Sequence, residues 1–146
     1  VYPILIIAAV IALDQFSKYL TVTRLMPMGD YNVISGFLEF TYVENFGIAF
    51  GMFQNQRWFF VISTSIIAVV VLYFIFKMFK KYVFYTICLS LIFGGAIGNL
   101  IDRIRLGFVI DFIHFSFFPP VFNIADSAVV VGAIALSIAI LFTKEV

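Results

Sequence analysis

Hydrophobic positions in this chain come in runs of about twenty residues, the length a helix needs to cross a bilayer. Four such runs stand out: roughly Tyr2 to Leu20, Trp58 to Phe76, Tyr82 to Ile101 and Ile124 to Phe142. The second is free of charged residues. The first carries Asp14, Gln15 and Lys18 in its second half, the third carries Gly94, Gly95, Gly98 and Asn99, and the fourth has Asp126 near its start. No linker or internal repeat divides the chain, which predicts a single integral membrane domain over residues 1–146.

Two segments between the runs are too polar to span. Thr21 to Arg57 carries Pro27, Gly29, Asp30, Gly36, Asn45, Gly47 and Gly51. Within it Phe37 to Val43 sets Glu39 and Thr41 against Leu38, Phe40 and Tyr42, an alternation that predicts a half-buried strand and a small sheet on the membrane surface. Asp102 to Asn123 contains Gly107 and Pro119-Pro120, which cannot continue a helix, so it too reads as a surface excursion.

Composition strengthens the membrane reading. Hydrophobic residues make up 64% of the 146 and charged residues 12%, against about 45–50% and about 25% in soluble domains. A soluble domain of this length leaves roughly a third of its surface exposed, so lipid must cover the surplus. The net charge is +1, with no basic stripe beyond Lys77, Lys80 and Lys81, which argues against a nucleic-acid partner. Cys88, the single cysteine, reads as a small buried hydrophobe. The chain begins at Val1 rather than Met, so a few preceding residues are expected to be missing. Its first apolar run lacks the basic flank and small-residue cleavage site of a signal peptide.

Four spans put both termini on one side. Lys77, Lys80 and Lys81 crowd the short loop after the second span and Lys144 follows the fourth, which marks that side as cytoplasmic. The raw count is not decisive, because Lys18, Arg24, Arg57, Arg103 and Arg105 fall on the other side; the density in the short loop carries the assignment. The two excursions then lie outside.

Ionisable residues in or beside spans cost on the order of 2.5–3.5 kcal/mol each on insertion scales, so they are functional candidates. Asp14 and Lys18, four apart on one helical face, fit an ion pair that either anchors the helix end or serves a site. Asn99, Asp102 and Arg103 at the outer end of the third span fit a polar knot or a site equally well. Asp111 and Asp126 say more. Asn123 capping the fourth span with Asp126 at its N-terminus explains Asp126, where an anion is favoured. It leaves unexplained Asp111, isolated in FVIDFI, whose apolar neighbours favour its neutral form. The residues between them, broken by Pro119-Pro120, are enough to bring the two carboxyls together. A carboxyl pair sharing one proton activates water and protonates a leaving amine, which is aspartic protease chemistry.

Other schemes fit less well. His114 is the only histidine and stands at no triad spacing with Cys88, Ser116 or Ser127. No Cys/His cluster points to zinc or another metal, no Gly-rich loop points to nucleotide, and Gly94-x-x-x-Gly98 reads as close helix packing, so no cofactor is expected. A small transporter or ion-relay subunit is the runner-up, but its polar groups would form a file across the membrane. A structural scaffold would need no isolated Asp111.

The series Gly98-Asn99-Leu100-Ile101-Asp102-Arg103, Val109-Ile110-Asp111-Phe112 and Phe122-Asn123-Ile124-Ala125-Asp126-Ser127 resembles the motifs of bacterial lipoprotein signal peptidases, also called signal peptidase II. Asp14-Gln15-x-x-Lys18 and Val43-x-Asn45-x-Gly47-x-Ala49-Phe50-Gly51 extend the resemblance over essentially the whole chain, in order. Glu44 is a mild departure that leaves the catalytic assignment untouched. The resemblance implies an all-α membrane fold of four transmembrane helices with an extracytoplasmic β-cradle and a short surface helix. It implies an aspartic endopeptidase of the bacterial cytoplasmic membrane that cuts prolipoproteins before a diacylglyceryl-modified cysteine. By it, Asp111 and Asp126 are the catalytic dyad, Asn45, Asn99, Arg103 and Asn123 line the site, and Asp14, Lys18 and Asp102 support it. The expected partners are lipid-modified prolipoproteins and membrane lipid, and the expected state is a monomer.

Overall fold

The computed structural model describes residues 1–47 and 55–142. Ala49, Phe50 and Gly51 of the second upstream motif, and Lys144, lie outside the described residues.

Four helices are long and apolar enough to cross a membrane. Helix α1 is α-helical over Tyr2–Leu20, passes through a π-helical turn at Thr21–Leu25 and adds a last turn, Met26–Met28. The sequence reading stopped it at Leu20. It continues because Thr21 and Thr23 return their hydroxyls to the Ser17 and Tyr19 carbonyls, and no breaker intervenes before Pro27 and Gly29. Gly29, at φ 83°, ends it in a conformation that suits glycine. Helices α2 (Arg57–Met78), α3 (Val83–Arg105) and α4 (Ile124–Phe142) match the predicted spans to within a few residues. The 22 residues of α2 rise about 33 Å, enough for a hydrocarbon core of about 30 Å.

Helix α3 packs against each of the other three, and its glycines allow the close approach of α1 and α4. A Cβ on Gly94 would stand 2.9 Å from the Val10 Cβ of α1, and one on Gly95 would stand 2.3 Å from the Ala125 carbonyl oxygen of α4. The Gly94-x-x-x-Gly98 pattern is therefore a packing surface, as expected. Much of the outer surface of α2 is exposed apolar side chain, Ile62, Ile66 and Val69 among them, in keeping with a lipid-facing helix. At one end of the bundle the Tyr2 hydroxyl donates to the Phe79 carbonyl in the loop between α2 and α3, 2.9 Å away.

At the other end lies an antiparallel sheet in the order β1 (Tyr31–Ile34), β2 (Leu38–Asn45), β3 (Val109–Phe115), β4 (Phe118–Phe122). The predicted strand at 37–43 is β2. The second excursion, expected only as surface chain, supplies β3 and β4. Pro119 and Pro120 are accommodated because β4 is an edge strand, where a missing N–H costs no ladder bond. The register sets Val43 opposite Asp111 and Asn45 opposite Val109, with an irregularity between Phe40 and Val43. Asp111 is thus carried on a central strand, just beyond the end of α3. The surface helix implied by the resemblance has no counterpart among the described residues.

Candidate active site

Polar side chains from five elements meet where the sheet joins the bundle. Asn123 opens α4 with a reciprocal cap: its Oδ1 accepts from the Asp126 N–H at 2.8 Å, and Asp126 Oδ2 accepts from the Asn123 N–H at 3.3 Å. The cap reading is correct, yet it does not exhaust Asn123. Its Nδ2 donates to Asp111 Oδ1 at 2.7 Å and lies 3.0 Å from Asn99 Oδ1. Asn99 in turn donates its Nδ2 to Asp126 Oδ1 at 2.7 Å, and Asn45 donates its Nδ2 to Asp111 Oδ2 at 2.8 Å. Two amides, Asn99 and Asn123, therefore join the two carboxyls into one network.

Behind this network lies a second, drier one. Lys18 is 2% exposed, and its Nζ sits 2.8 Å from both Asp14 Oδ2 and Asp102 Oδ2. The predicted local pair exists, but Lys18 also reaches α3. It donates to Asn99 Oδ1 at 3.1 Å, which leaves the Asn99 amide nitrogen to face Asp126. Asp14 Oδ1 accepts from the Ala125 N–H of α4 at 2.9 Å, and Asp102 Oδ2 accepts from the Ile110 N–H at 3.2 Å. Asn99 and Asp102, read from sequence as one knot, thus divide: Asn99 joins the aspartate network and Asp102 holds the strand carrying Asp111.

Arg103 donates to the Gly47 carbonyl at 3.2 Å, with its guanidinium 4.9 Å from the centre of the Phe60 ring. The sequence reading assigns no role to Gln15, which it names only as a polar residue of the first run and within a motif; Gln15 Nε2 lies within 3.0–3.2 Å of Asp102 Oδ1, the Gly98 carbonyl and Asp14 Oδ2. It also passed over Arg57, which donates to the Ile104 carbonyl at 2.6 Å and so caps the end of α3. The Arg57 contact and the Gln15 contacts to Asp102 and Gly98 have no sequence signal, because those partners lie more than forty residues away.

The two carboxyls differ in setting. Asp111 is 2% exposed, whereas Asp126 is half-buried and lines a cleft of about 430 Å³ between α2, α3, α4 and β4. The polar end of the cleft is Asn45, Asn99, Arg103 and Asp126, and its apolar length includes Ile67, Ile92, Val129 and Val130. Burial, then the neighbouring Asp126 charge, push the Asp111 pKa up to about 7 against the pull of the Asn45 and Asn123 hydrogen bonds and of Lys18. Among the described residues no group of three His, Cys, Asp or Glu side chains is arranged to hold a metal ion. Asp14, Lys18, Asp102 and Asp126 gather at this one end instead of forming a file across the bundle, which does not favour an ion-relay subunit.

Comparison with known proteins decides the family. Residues 6–142 match the family described as signal peptidase (SPase) II. The chain belongs to the signal peptidase II family. The lipoprotein signal peptidase of Caldanaerobacter subterraneus subsp. tengcongensis is 53% identical over 139 residues, covering 95% of each chain. That of Clostridioides difficile is 44% identical over 143 residues, covering 97% of this chain and 96% of its own. A bacterial membrane enzyme solved by the in meso method at 2.3 Å superposes with a TM-score of 0.89 at 37% identity, covering 99% of this chain and 93% of that one. The signal peptidase II fold is thus four long apolar helices with a small antiparallel sheet, and the chain is a multi-pass membrane peptidase of the aspartic type.

Proposed function

We propose that this signal peptidase II removes signal peptides from prolipoproteins with Asp111 and Asp126 as its catalytic pair, cutting just before a diacylglyceryl-modified cysteine. The observation that carries the reading is the joining of two carboxyls through Asn99 and Asn123 at the polar end of an apolar cleft. Asp111, buried and with its pKa raised to about 7, is the protonated member. Asp126, in the first turn of α4 where the helix N-terminus favours an anion, faces the cleft as the ionised one.

The reaction follows from that assignment. Asp126 takes a proton from a water whose oxygen attacks the scissile carbonyl carbon, while Asp111 gives its proton to the carbonyl oxygen. The gem-diol then collapses: the C–N bond breaks, Asp126 delivers its proton to the leaving cysteine amine, and Asp111 recovers a proton from a diol hydroxyl. The pair ends as it began. Asn45 and Asn123 hold Asp111, Asn99 holds Asp126, and Arg103 at the rim positions the substrate backbone. Asp14, Lys18 and Asp102 brace the helix ends beneath.

A lipidated cysteine sits in the bilayer with its peptide bond near the headgroups, the level at which a site at helix ends would meet it. The apolar length of the cleft accepts chain or acyl surface while the polar end meets the peptide bond. The protein acts in the bacterial cytoplasmic membrane as a monomer, its sheet and site on the outer face and its termini in the cytoplasm. The test is cleavage of a prolipoprotein peptide by the purified protein in lipid, with and without the diacylglyceryl group. Cleavage confined to the lipidated peptide is expected; equal cleavage of both would refute the lipid requirement, and cleavage of neither would refute the function.

A further inference from the structure

Two neighbouring turns of the sheet carry an aromatic cluster that the site does not use. Phe37 stands in the turn between β1 and β2, and Phe115 to Phe118 form the turn between β3 and β4. The Ser116 N–H donates to the Phe37 carbonyl at 3.0 Å, so the turns lie side by side. The rings of Phe37, Phe115 and Phe117 stand 5.6–5.7 Å apart, centre to centre, in all three pairings. They remain open to the surroundings: Phe117 is 71% exposed and Phe37 45%.

Sheet tips in water are built of polar turn residues, and exposed edge strands are guarded by charge. This tip carries no charge, and its turns set Phe37 and Phe117 beside the turn residues Ser35, Gly36 and Ser116. Residues 31–37 (YNVISGF) and 115–122 (FSFFPPVF) contain no charged side chain, and edge strand β1 is exposed along its whole length. The exposed apolar surface begins on α1, a helix suited to crossing the membrane, at Met26 and Met28 and continues through Tyr31 and Ile34 to Phe37. Gly29 and the charged Asp30 interrupt it between Met28 and Tyr31, so the tip is tethered to that lipid-facing element across two residues. Lipid is the apolar phase always within reach of a tip tethered by α1 and α3, whereas a second copy would have to be met by diffusion.

We propose that Phe37, Phe115 and Phe117 form an aromatic wedge that inserts into the bilayer interface on the sheet's side of the membrane. Phe115 is four residues along β3 from Asp111, about 13 Å. The wedge therefore pins the far end of the strand that carries Asp111, and sets the height of that strand relative to the headgroups. The inference rests on the four spanning helices and not on the catalytic assignment.

The test is spin labelling of Ser116→Cys, an exposed position between two of the rings, in the full chain in phosphatidylcholine/phosphatidylglycerol nanodiscs. Cys88, 1% exposed, is shielded from the label. Collision with oxygen, which concentrates in lipid, is expected to exceed collision with a water-soluble nickel chelate. An excess of nickel collisions would place the tip in water, and exclusion of both relaxers would place it against protein, such as a second copy; either overturns the wedge. Adding Phe37→Ser and Phe117→Ser should move the label into the nickel-accessible phase, and an unchanged ratio would also overturn it. Should that variant fail to fold, the comparison of relaxers in the single variant decides alone.

Discussion

Replacing Lys18 by Met removes one ammonium and strands two carboxylates. Asp14 and Asp102 are 0% and 3% exposed, each has Lys18 at 2.8 Å, and no other cation pairs with either among the described residues. Removing one partner of a buried ion pair costs about 3–5 kcal/mol, because the charge left behind keeps its desolvation penalty. At about 2–4 °C per kcal/mol, the unfolding midpoint should fall by about 10 °C. Cys88 provides the assay: it is the only cysteine, 1% exposed, so a thiol-reactive fluorophore reports unfolding during a thermal ramp. Adding Asp102→Asn should restore part of the loss, since one of the two stranded charges disappears. The surviving folded fraction should also be slow, because Asn99 loses the donor that holds its carbonyl and turns its amide nitrogen toward Asp126. A midpoint within about 2 °C of the parent would refute the reasoning, because it would put the pair in the surface class worth about 0–1 kcal/mol.

Further expectations concern proton, packing and topology. Asp111 must be protonated to act, and its pKa is raised to about 7, so kcat/KM should fall as pH rises through about 7. Because that pKa lies above the ordinary carboxylate value of 3.8, the stability contributed by neutral Asp111 is full below that value and is lost as pH rises through 7, readable with the same thiol ramp. An activity profile flat from pH 6 to 8.5 would contradict the assignment. Gly95→Ala drives a methyl to 2.3 Å from the Ala125 carbonyl; it should cost about 1–3 kcal/mol and lower activity by displacing the start of α4, and an unchanged midpoint would speak against that packing. A thiol at Asp30, in the described turn after α1, should be labelled by an impermeant reagent from outside the cell; labelling only from the cytoplasmic side would invert the topology.

The sequence revealed what depends on periodicity. Four apolar runs became four helices, and the alternation at 37–43 became β2, because lipid and a half-buried sheet each impose a repeat. It missed β3 and β4. β3 is buried along its first four residues, so it shows no alternation, and Pro119-Pro120 reads as a break until the partner strand is known. Helix α1 ran past Leu20 because threonines can satisfy helical carbonyls, which hydropathy does not register. The candidate residues were legible as misplaced charges and as a resemblance. Their division of labour was not: Lys18 turning the Asn99 amide and Asp14 capping α4 through Ala125 are contacts across more than eighty residues.

The central claim is that Asp111 and Asp126 share one catalytic task. Asp111→Asn and Asp126→Asn, each assayed in lipid nanodiscs by mass detection of the released signal peptide, test it most directly. Each amide keeps the shape of the side chain and removes its proton transfer. The account predicts that each substitution lowers cleavage by at least about a hundredfold while the Cys88-reported unfolding midpoint stays near that of the parent. Cleavage within about tenfold of the parent by either folded variant would contradict it.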